Sequence, residues 1–242
     1  MTLQIPLNIG LRENYSFENF FVGANSELVH CLQQIVENPA DQFVYLWGAN
    51  GLGKTHLLQA VCHSAANKGY ISAYLPLGNS HEISPDMLEG LEQLSMVVID
   101  DIQAIAGDLL WEEALFHLYN RLRESGTALI ISGNVSPANI VFGLSDLGSR
   151  LVWGLVVQVK PLNDEGKKWV LQKRADQRGF SLSDDIAHYL LKYCPRDMAS
   201  LLNILDQLEH ASLAAQRKLT IPFIKTLICQ TGNPSADNGS PG

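Results

Sequence analysis

Residues 48–55 read Gly-Ala-Asn-Gly-Leu-Gly-Lys-Thr, a full match to Gly-x-x-x-x-Gly-Lys-Thr. The segment follows the apolar run Phe43–Trp47 and opens a helical pattern, which is the context a phosphate-binding loop requires. Its glycines let the backbone curl so that successive N–H groups face one anion. The helix starting near Lys54 adds the positive end of its dipole. Gly48, Asn50, Gly51, Leu52, Gly53, Lys54, Thr55 and His56 are therefore the expected nucleotide-contacting residues. Lys54 supplies charge to the β and γ phosphates, and the Thr55 hydroxyl is an expected Mg²⁺ ligand. A loop of this kind needs an acid at the tip of a neighbouring strand. "MVVIDD" (96–101) supplies Asp100 as the carboxylate on the magnesium side. Asp101 is expected to orient a water or sense the γ-phosphate; its alternative is a helix cap or a solvated acid.

The loop also constrains the surroundings. Five short, β-branched apolar runs recur at 43–47, 71–75, 96–100, 128–132 and 155–159. Continuous apolar runs suit strands covered on both faces. Helical patterns lie between them: 55–69 ending at Gly69, 84–94 starting at Ser84 and Pro85, and 109–126 ending at Gly126. Such alternation implies a parallel sheet with helices on both faces. After Pro161 the strand signals stop. Four helical patterns follow, with Ser183 and Thr220 as caps. The expected architecture is an α/β fold, a P-loop αβα sandwich on a five-stranded parallel sheet over 15–162, followed by a small all-helical unit over 163–230. The last twelve residues, 231–242, have the composition of a disordered tail.

Composition excludes several classes of function. A net charge of −8 opposes non-specific DNA binding, which depends on Lys and Arg neutralising phosphates. The four cysteines fit no zinc or redox spacing, and the seven histidines show no ligand spacing. With no secretion signal and no membrane-length apolar run, reduced thiols in a cytoplasmic protein are expected.

The stretches "YSFENFFVGANSEL" (15–28), "GLGKTHLLQA" (51–60), "VVIDDIQAIAG" (97–107), "IISGNVSP" (130–137) and "DLGSRLVWG" (146–154) together resemble the DnaA-related AAA+ family. "DDIQ" and "SRLVWG" are the most specific of these. No DNA-binding helix-turn-helix domain is expected after the helical unit, the family's lid, so the resemblance is nearest the Hda-like branch, the regulatory inactivators of DnaA. The resemblance implies an adenine nucleotide, ADP or ATP, bound with Mg²⁺, and an ATPase activity that is weak at most. It puts Phe20 and Val22 beside the base, although as bare residues they read equally as core. It matches Asn134 to the sensor-1 position, where relatives commonly have Asp; a plain turn residue before Pro137 is the alternative. It matches Arg150 to an arginine finger, a guanidinium presented to a neighbouring subunit's nucleotide; the alternative is a surface ion pair. The lid position at which relatives carry a sensor-2 arginine is Ala199 here. Arg196, three residues earlier and on nearly the same helical face, is the candidate substitute; the alternative is that none substitutes and the γ-phosphate is sensed poorly.

The chain begins with "TLQIPLNIGL", uncharged until Arg12. Pro6 and Gly10 oppose a helix. Hda-like proteins carry a sliding-clamp-binding peptide near the N-terminus, and "QIPLNI" has its form. Residues 1–14 are thus expected to be an extended arm in which Gln4, Ile5, Leu7 and Ile9 engage the clamp (the β subunit) as a strand-like peptide. The expected function is a nucleotide-bound regulator that docks on the clamp, reaches DNA only through it, and stimulates ATP hydrolysis by DnaA, restraining replication initiation. AAA+ self-association or a homodimer is compatible with it. The alternative from another class is a DNA-binding AAA+ initiator or helicase-loader-like ATPase.

Overall fold

The computed structural model describes residues 11–12, 14–40, 42–215 and 220–225. The arm residues Gln4, Ile5, Leu7 and Ile9 and the tail 231–242 lie outside the described residues. The chain divides between Leu162 and Asn163 into two compact units.

The first unit is built on five parallel strands, β1 (Phe43–Trp47), β2 (Ser72–Pro76), β3 (Met96–Asp100), β4 (Ala128–Gly133) and β5 (Leu155–Gln158), in the order β2-β3-β4-β1-β5. Strand side chains alternate between faces, and the alternation divides the interior into two cores. Tyr45, Val97, Ile99, Leu129 and Ile131 face one core with α3 (Leu109–Ser125) and α4 (Ser145–Leu151). Val44, Leu46, Val98 and Ile130 face the other with α1 (Ser26–Glu37) and α2 (Lys54–Asn67). Burial on both faces is why the inner strands read as unbroken apolar runs. β5, at one edge of the sheet, is only partly covered, with Leu155 51% exposed.

One expected helix is absent. Residues 84–94 form two 3-10 turns, Pro85–Leu88 and Leu91–Gln93, instead of a continuous helix. The Ser84 side chain does accept from the Asp86 N–H, but Glu89 is extended. That break lets both Leu88 and Leu91 enter the core.

The second unit comprises α5 (Asp164–Gln177), α6 (Asp184–Tyr193), α7 (Met198–Ala215) and a helical turn at 221–225. Asn163, Ser183 and Thr220 accept from the N–H groups of Gly166, Ile186 and Phe223, as helix-starting residues should. Leu171, Leu190, Leu201, Leu205 and Ile224 are fully buried in it. Arg178 of this unit pairs with Asp206 and Glu209. No described helix is long and apolar enough to cross a membrane.

The sheet leaves little room at the tip of β4. Tyr45 crosses beneath Gly133, its hydroxyl donating to the Val135 carbonyl at 3.2 Å. A Cβ on Gly133 would stand 2.0 Å from that hydroxyl. Gly133→Ala is therefore expected to destabilise the protein by ~1–3 kcal/mol through overpacking, read as a lower urea midpoint. Combining it with Tyr45→Phe should return part of the loss; an unchanged midpoint in the single variant contradicts this packing.

Candidate functional site

The site lies at the C-terminal ends of β1, β4 and β3, where open α/β sheets hold their ligands. The loop after β1 is tied to β4 at its first residue, the Gly48 N–H donating to the Gly133 carbonyl at 3.2 Å. Gly53, at φ 91°, begins α2, and a Cβ there would stand 2.9 Å from the Phe20 ring. Any other residue would meet both a disfavoured backbone conformation and that ring. Lys54 is 5% exposed and donates from Nζ to the carbonyls of Gly48 (2.7 Å) and Ala49 (3.2 Å). Burial lowers its proton affinity, while the charges of Asp101 and Asp100 work in the opposite direction. The cation thus sits within the loop's curve, facing two carboxylates. The glycine cradle, the buried ammonium and the helix start form the donor set that a nucleotide's phosphates require. Asn50 and Gly51 are exposed on the loop, and Leu52 packs back on the second core.

Asp100 is 3% exposed at the end of β3. Its two oxygens accept from the hydroxyls of Tyr74 (2.8 Å) and Ser132. Burial, then the Asp100 charge, push the Tyr74 phenol up, so it remains a donor. Two neutral hydroxyls orient the acid without cancelling its charge. The Ser132 Oγ also accepts from the Asp101 N–H at 2.9 Å. Asp101 has φ 59° and is the only non-glycine residue with positive φ among those described. Such a conformation costs roughly 1–2 kcal/mol for an L-residue, and the Ser132 bond helps to hold it. The Asp101 carboxylate accepts from Gln103 Nε2 at 3.0 Å, and Gln103 Oε1 accepts from the Asn134 N–H at 3.0 Å. One amide side chain therefore joins the tips of β3 and β4. Asn134 itself is exposed.

Gln103, Ser132 and Tyr74 were not singled out by motif reasoning. Gln103 had a signal in "DDIQ", and Ser132 had one as the polar end of the run "ALIIS". Tyr74 had none, because a phenol in an apolar strand looks like core.

Phe20 is buried against the loop, and Val22 is half-buried on the second core. His56 is 8% exposed; its Nε2 lies 2.8 Å from the Ser16 carbonyl and its ring stacks on Tyr15 at 4.7 Å. It therefore fastens segment 15–20 to α2, and that segment carries Phe20 to the loop. Thr55 is half-buried in the first turn of α2.

Arg150 lies within the last turn of α4. Its guanidinium stands over the rings of Trp153 (5.0 Å), Phe116 (5.7 Å) and Tyr119 (6.0 Å). It is half-buried and forms no ion pair with a described residue, so the ion-pair alternative finds no carboxylate. Trp153 is 66% exposed.

Arg196 requires a correction. It does not share a helical face with Ala199, because α7 begins only at Met198. Asp197 caps that helix through the N–H groups of Ser200 and Leu201, so the Pro195–Arg196 stretch lies outside it. The Arg196 guanidinium is bound by both oxygens of Asp164, whose carboxyl is held below its usual range chiefly by that bond.

A family model of the bacterial DnaA ATPase domain matches residues 11–74 and 80–158, more than half of the chain, and one of the Hda lid domain matches residues 164–228. Domain III of the Thermotoga maritima replication initiation protein DnaA is similar at 23% identity and TM-score 0.82, over 93% of this chain and all of that one. AMPPCP-bound DnaA from Aquifex aeolicus is 21% identical with TM-score 0.67, over 82% of this chain and 66% of that chain. The Thermotoga maritima RuvB Holliday junction branch migration motor is 14% identical with TM-score 0.68, over 91% and 72%. At these identities the solved structures establish a shared AAA+ fold.

Ser132 serves two groups at once, the buried Asp100 carboxylate and the half-buried Asp101 N–H. Ser132→Ala is expected to leave Asp100 short of a donor and the Asp101 N–H without its acceptor. The expected cost is ~1–3 kcal/mol, measured by urea unfolding of the purified chain. A variant as stable as the parent refutes the assignment of the hydroxyl as the link.

Proposed function

The chain belongs to the bacterial DnaA ATPase-domain family, and on that premise we propose that it is a nucleotide-bound regulator that stimulates ATP hydrolysis by DnaA and thereby restrains replication initiation. The observation that carries this reading is the environment of Arg150. A guanidinium that is half-buried, stacked on aromatic rings and free of an ion pair with any described residue keeps its N–H donors for an external anion. Aromatic faces support the cation without neutralising it. On this reading Arg150 is presented to the γ-phosphate of ATP held by DnaA, where charge accumulates as the terminal bond breaks. An arginine finger in trans is worth ~10³–10⁵ in rate, or roughly 4–7 kcal/mol at ~1.4 kcal/mol per decade.

The chain's own loop would hold an adenine nucleotide, ADP or ATP. Gly48, Asn50, Gly51, Leu52 and Gly53 supply the cradle, Lys54 the charge, and Phe20 and Val22 the apolar wall. Thr55 and Asp100 would hold the Mg²⁺ shell, and the metal would neutralise phosphate charge when bound. Asp101 and Asn134, joined through Gln103, would sense the terminal phosphate. Arg196 is engaged by Asp164, and Ala199 offers no guanidinium; both favour a nucleotide kept as a structural element and hydrolysis that is weak at most. Gln4, Ile5, Leu7 and Ile9 would tether the protein to the DNA-loaded sliding clamp, so that DNA is reached only indirectly.

The test is turnover of DnaA-bound ATP with and without this protein and DNA-loaded clamp. Arg150→Ala is expected to abolish stimulation while nucleotide and clamp binding persist. Gln4→Ala is expected to lose the clamp and keep the nucleotide. Full stimulation by Arg150→Ala overturns the finger. Tight binding of free duplex or single-stranded DNA without clamp would favour an initiator-like or helicase-loader-like activity instead.

A further inference from the structure

Glu112 is a second buried acid, and nothing in the nucleotide site uses it. It is 0% exposed on the first turns of α3. No cationic side chain pairs with it among the described residues. An unpaired buried carboxylate is expensive unless hydrogen bonds satisfy it. Here three backbone N–H groups do so. Gly107 donates to Oε1 at 2.6 Å, Gly143 to Oε1 at 3.1 Å, and Leu144 to Oε2 at 2.6 Å. The Gly107 bond closes the loop before α3. The other two reach across 31 and 32 residues of sequence to the segment that starts α4.

Phe142 and Leu144 of that segment also pack on the first core, but that apolar packing carries no directional bond. Leu144 is the residue before α4, and no side chain caps the helix there. The Glu112 carboxylate instead fixes the main chain entering α4, through the N–H groups of Gly143 and Leu144 just before the helix. Leu147 and Leu151 then lay α4 on the core beside α3. Further along α3, Phe116 and Tyr119 support the Arg150 guanidinium. Positions 112, 116 and 119 are spaced i, i+4 and i+7, so they share one face of α3. The two helices therefore meet in the same order along both, with 112 at the start of α4 and 116 and 119 at its end. The span from 112 to 119 is about 10 Å. One helix face sets both where α4 begins and where its arginine comes to rest.

We propose that Glu112 is the positioning residue of the arginine-bearing helix, holding α4 in register on α3 so that Arg150 is presented at a fixed place. The inference rests on the reading of Arg150 as a trans-acting guanidinium, and it adds the element that aims it. Glu112→Gln keeps the size but places an NH2 among the N–H donors, so at least one bond to the α4 start is replaced by a donor–donor clash. Displacement of about 1 Å at a catalytic group can cost ~10²-fold in rate.

Two readouts on the full chain test this. The first is ¹⁹F NMR of 5-fluorotryptophan-labelled protein, with the Trp153 signal assigned through Trp153→Phe. In Glu112→Gln the Trp153 resonance is expected to shift while those of Trp47 and Trp169 stay. The second is stimulation of DnaA ATP turnover with DNA-loaded clamp, expected to fall ~10- to ~100-fold at saturation with little change in the half-saturating concentration. A mere structural cap would lower the melting temperature alone. A folded Glu112→Gln protein with an unmoved Trp153 resonance, or with undiminished stimulation, overturns the proposal. Should Glu112→Gln fail to fold, Glu112→Asp carries the same two measurements, since it keeps the charge but withdraws it from Gly143 and Leu144. If the parent protein itself gives no stimulation, the reading of Arg150 is what fails, and the ¹⁹F shift decides the role of Glu112.

Discussion

Everything at the candidate site depends on β4 lying between β1 and β3. That order sets the tip of the loop strand beside Gly133 and the tip of the acid strand beside Ser132. Parallel strands place all three C-terminal ends on the same side of the sheet. The phosphate loop, Asp100, Asp101 and Asn134 then meet, although residues 48 and 134 are far apart in sequence. With a different strand order, the same loop would curl around an anion with no carboxylate nearby to organise a metal.

Among the described residues of the first unit, two acids are buried, Asp100 and Glu112, and the contrast between them is instructive. Neither forms an ion pair with a described residue, the partner that burial of a charge ordinarily demands, although Lys54 faces Asp100. Asp100 is held by two hydroxyls, which orient it and leave its charge available beside the loop. Glu112 is held by three backbone N–H groups, which occupy most of a carboxylate's ~4 acceptor sites and make it a structural joint. The same chemistry serves a ligand in one case and fixes a helix in the other. Which outcome applies is decided by what reaches the carboxylate: side chains at the C-terminal tips of inner strands, or main chain from a closing loop.

The arginines divide in a similar way. Arg178 and Arg196 are engaged by carboxylates of the second unit. Arg150 stands over Phe116, Tyr119 and Trp153 instead. Aromatic faces hold a cation through their quadrupole and do not offer it an opposing charge. A guanidinium held in this manner is ordered yet still attractive to an anion from outside, a combination that a salt bridge would remove.

Much was legible from residue order alone. Gly-x-x-x-x-Gly-Lys-Thr after an apolar run specifies a strand, a curled loop and a helix, because few other conformations suit glycine at those positions and lysine at that one. Five apolar runs alternating with helical patterns determine a parallel α/β sheet, since only burial on both faces makes unbroken apolar strands favourable. The end of β3 at Asp100 followed from the same pattern. What periodicity could not supply was anything requiring two distant segments to meet. The helix expected over 84–94 became two turns because Leu88 and Leu91 both had a core to fill. The helical face expected to carry Arg196 does not exist, because Asp197 caps α7, which begins only at Met198, two residues after Arg196. The links made by Tyr74 and Glu112 were invisible, and "DDIQ" and the polar end of "ALIIS" marked Gln103 and Ser132 without their partners, since a link exists only once a strand tip or loop is brought within hydrogen-bonding distance. Local sequence determined the elements and the phosphate loop, because those rest on conformational preference and hydrophobic period. Only the tertiary structure decided which acid faces the loop and which fastens a helix, because that depends on the donors that folding delivers to a carboxylate withdrawn from water.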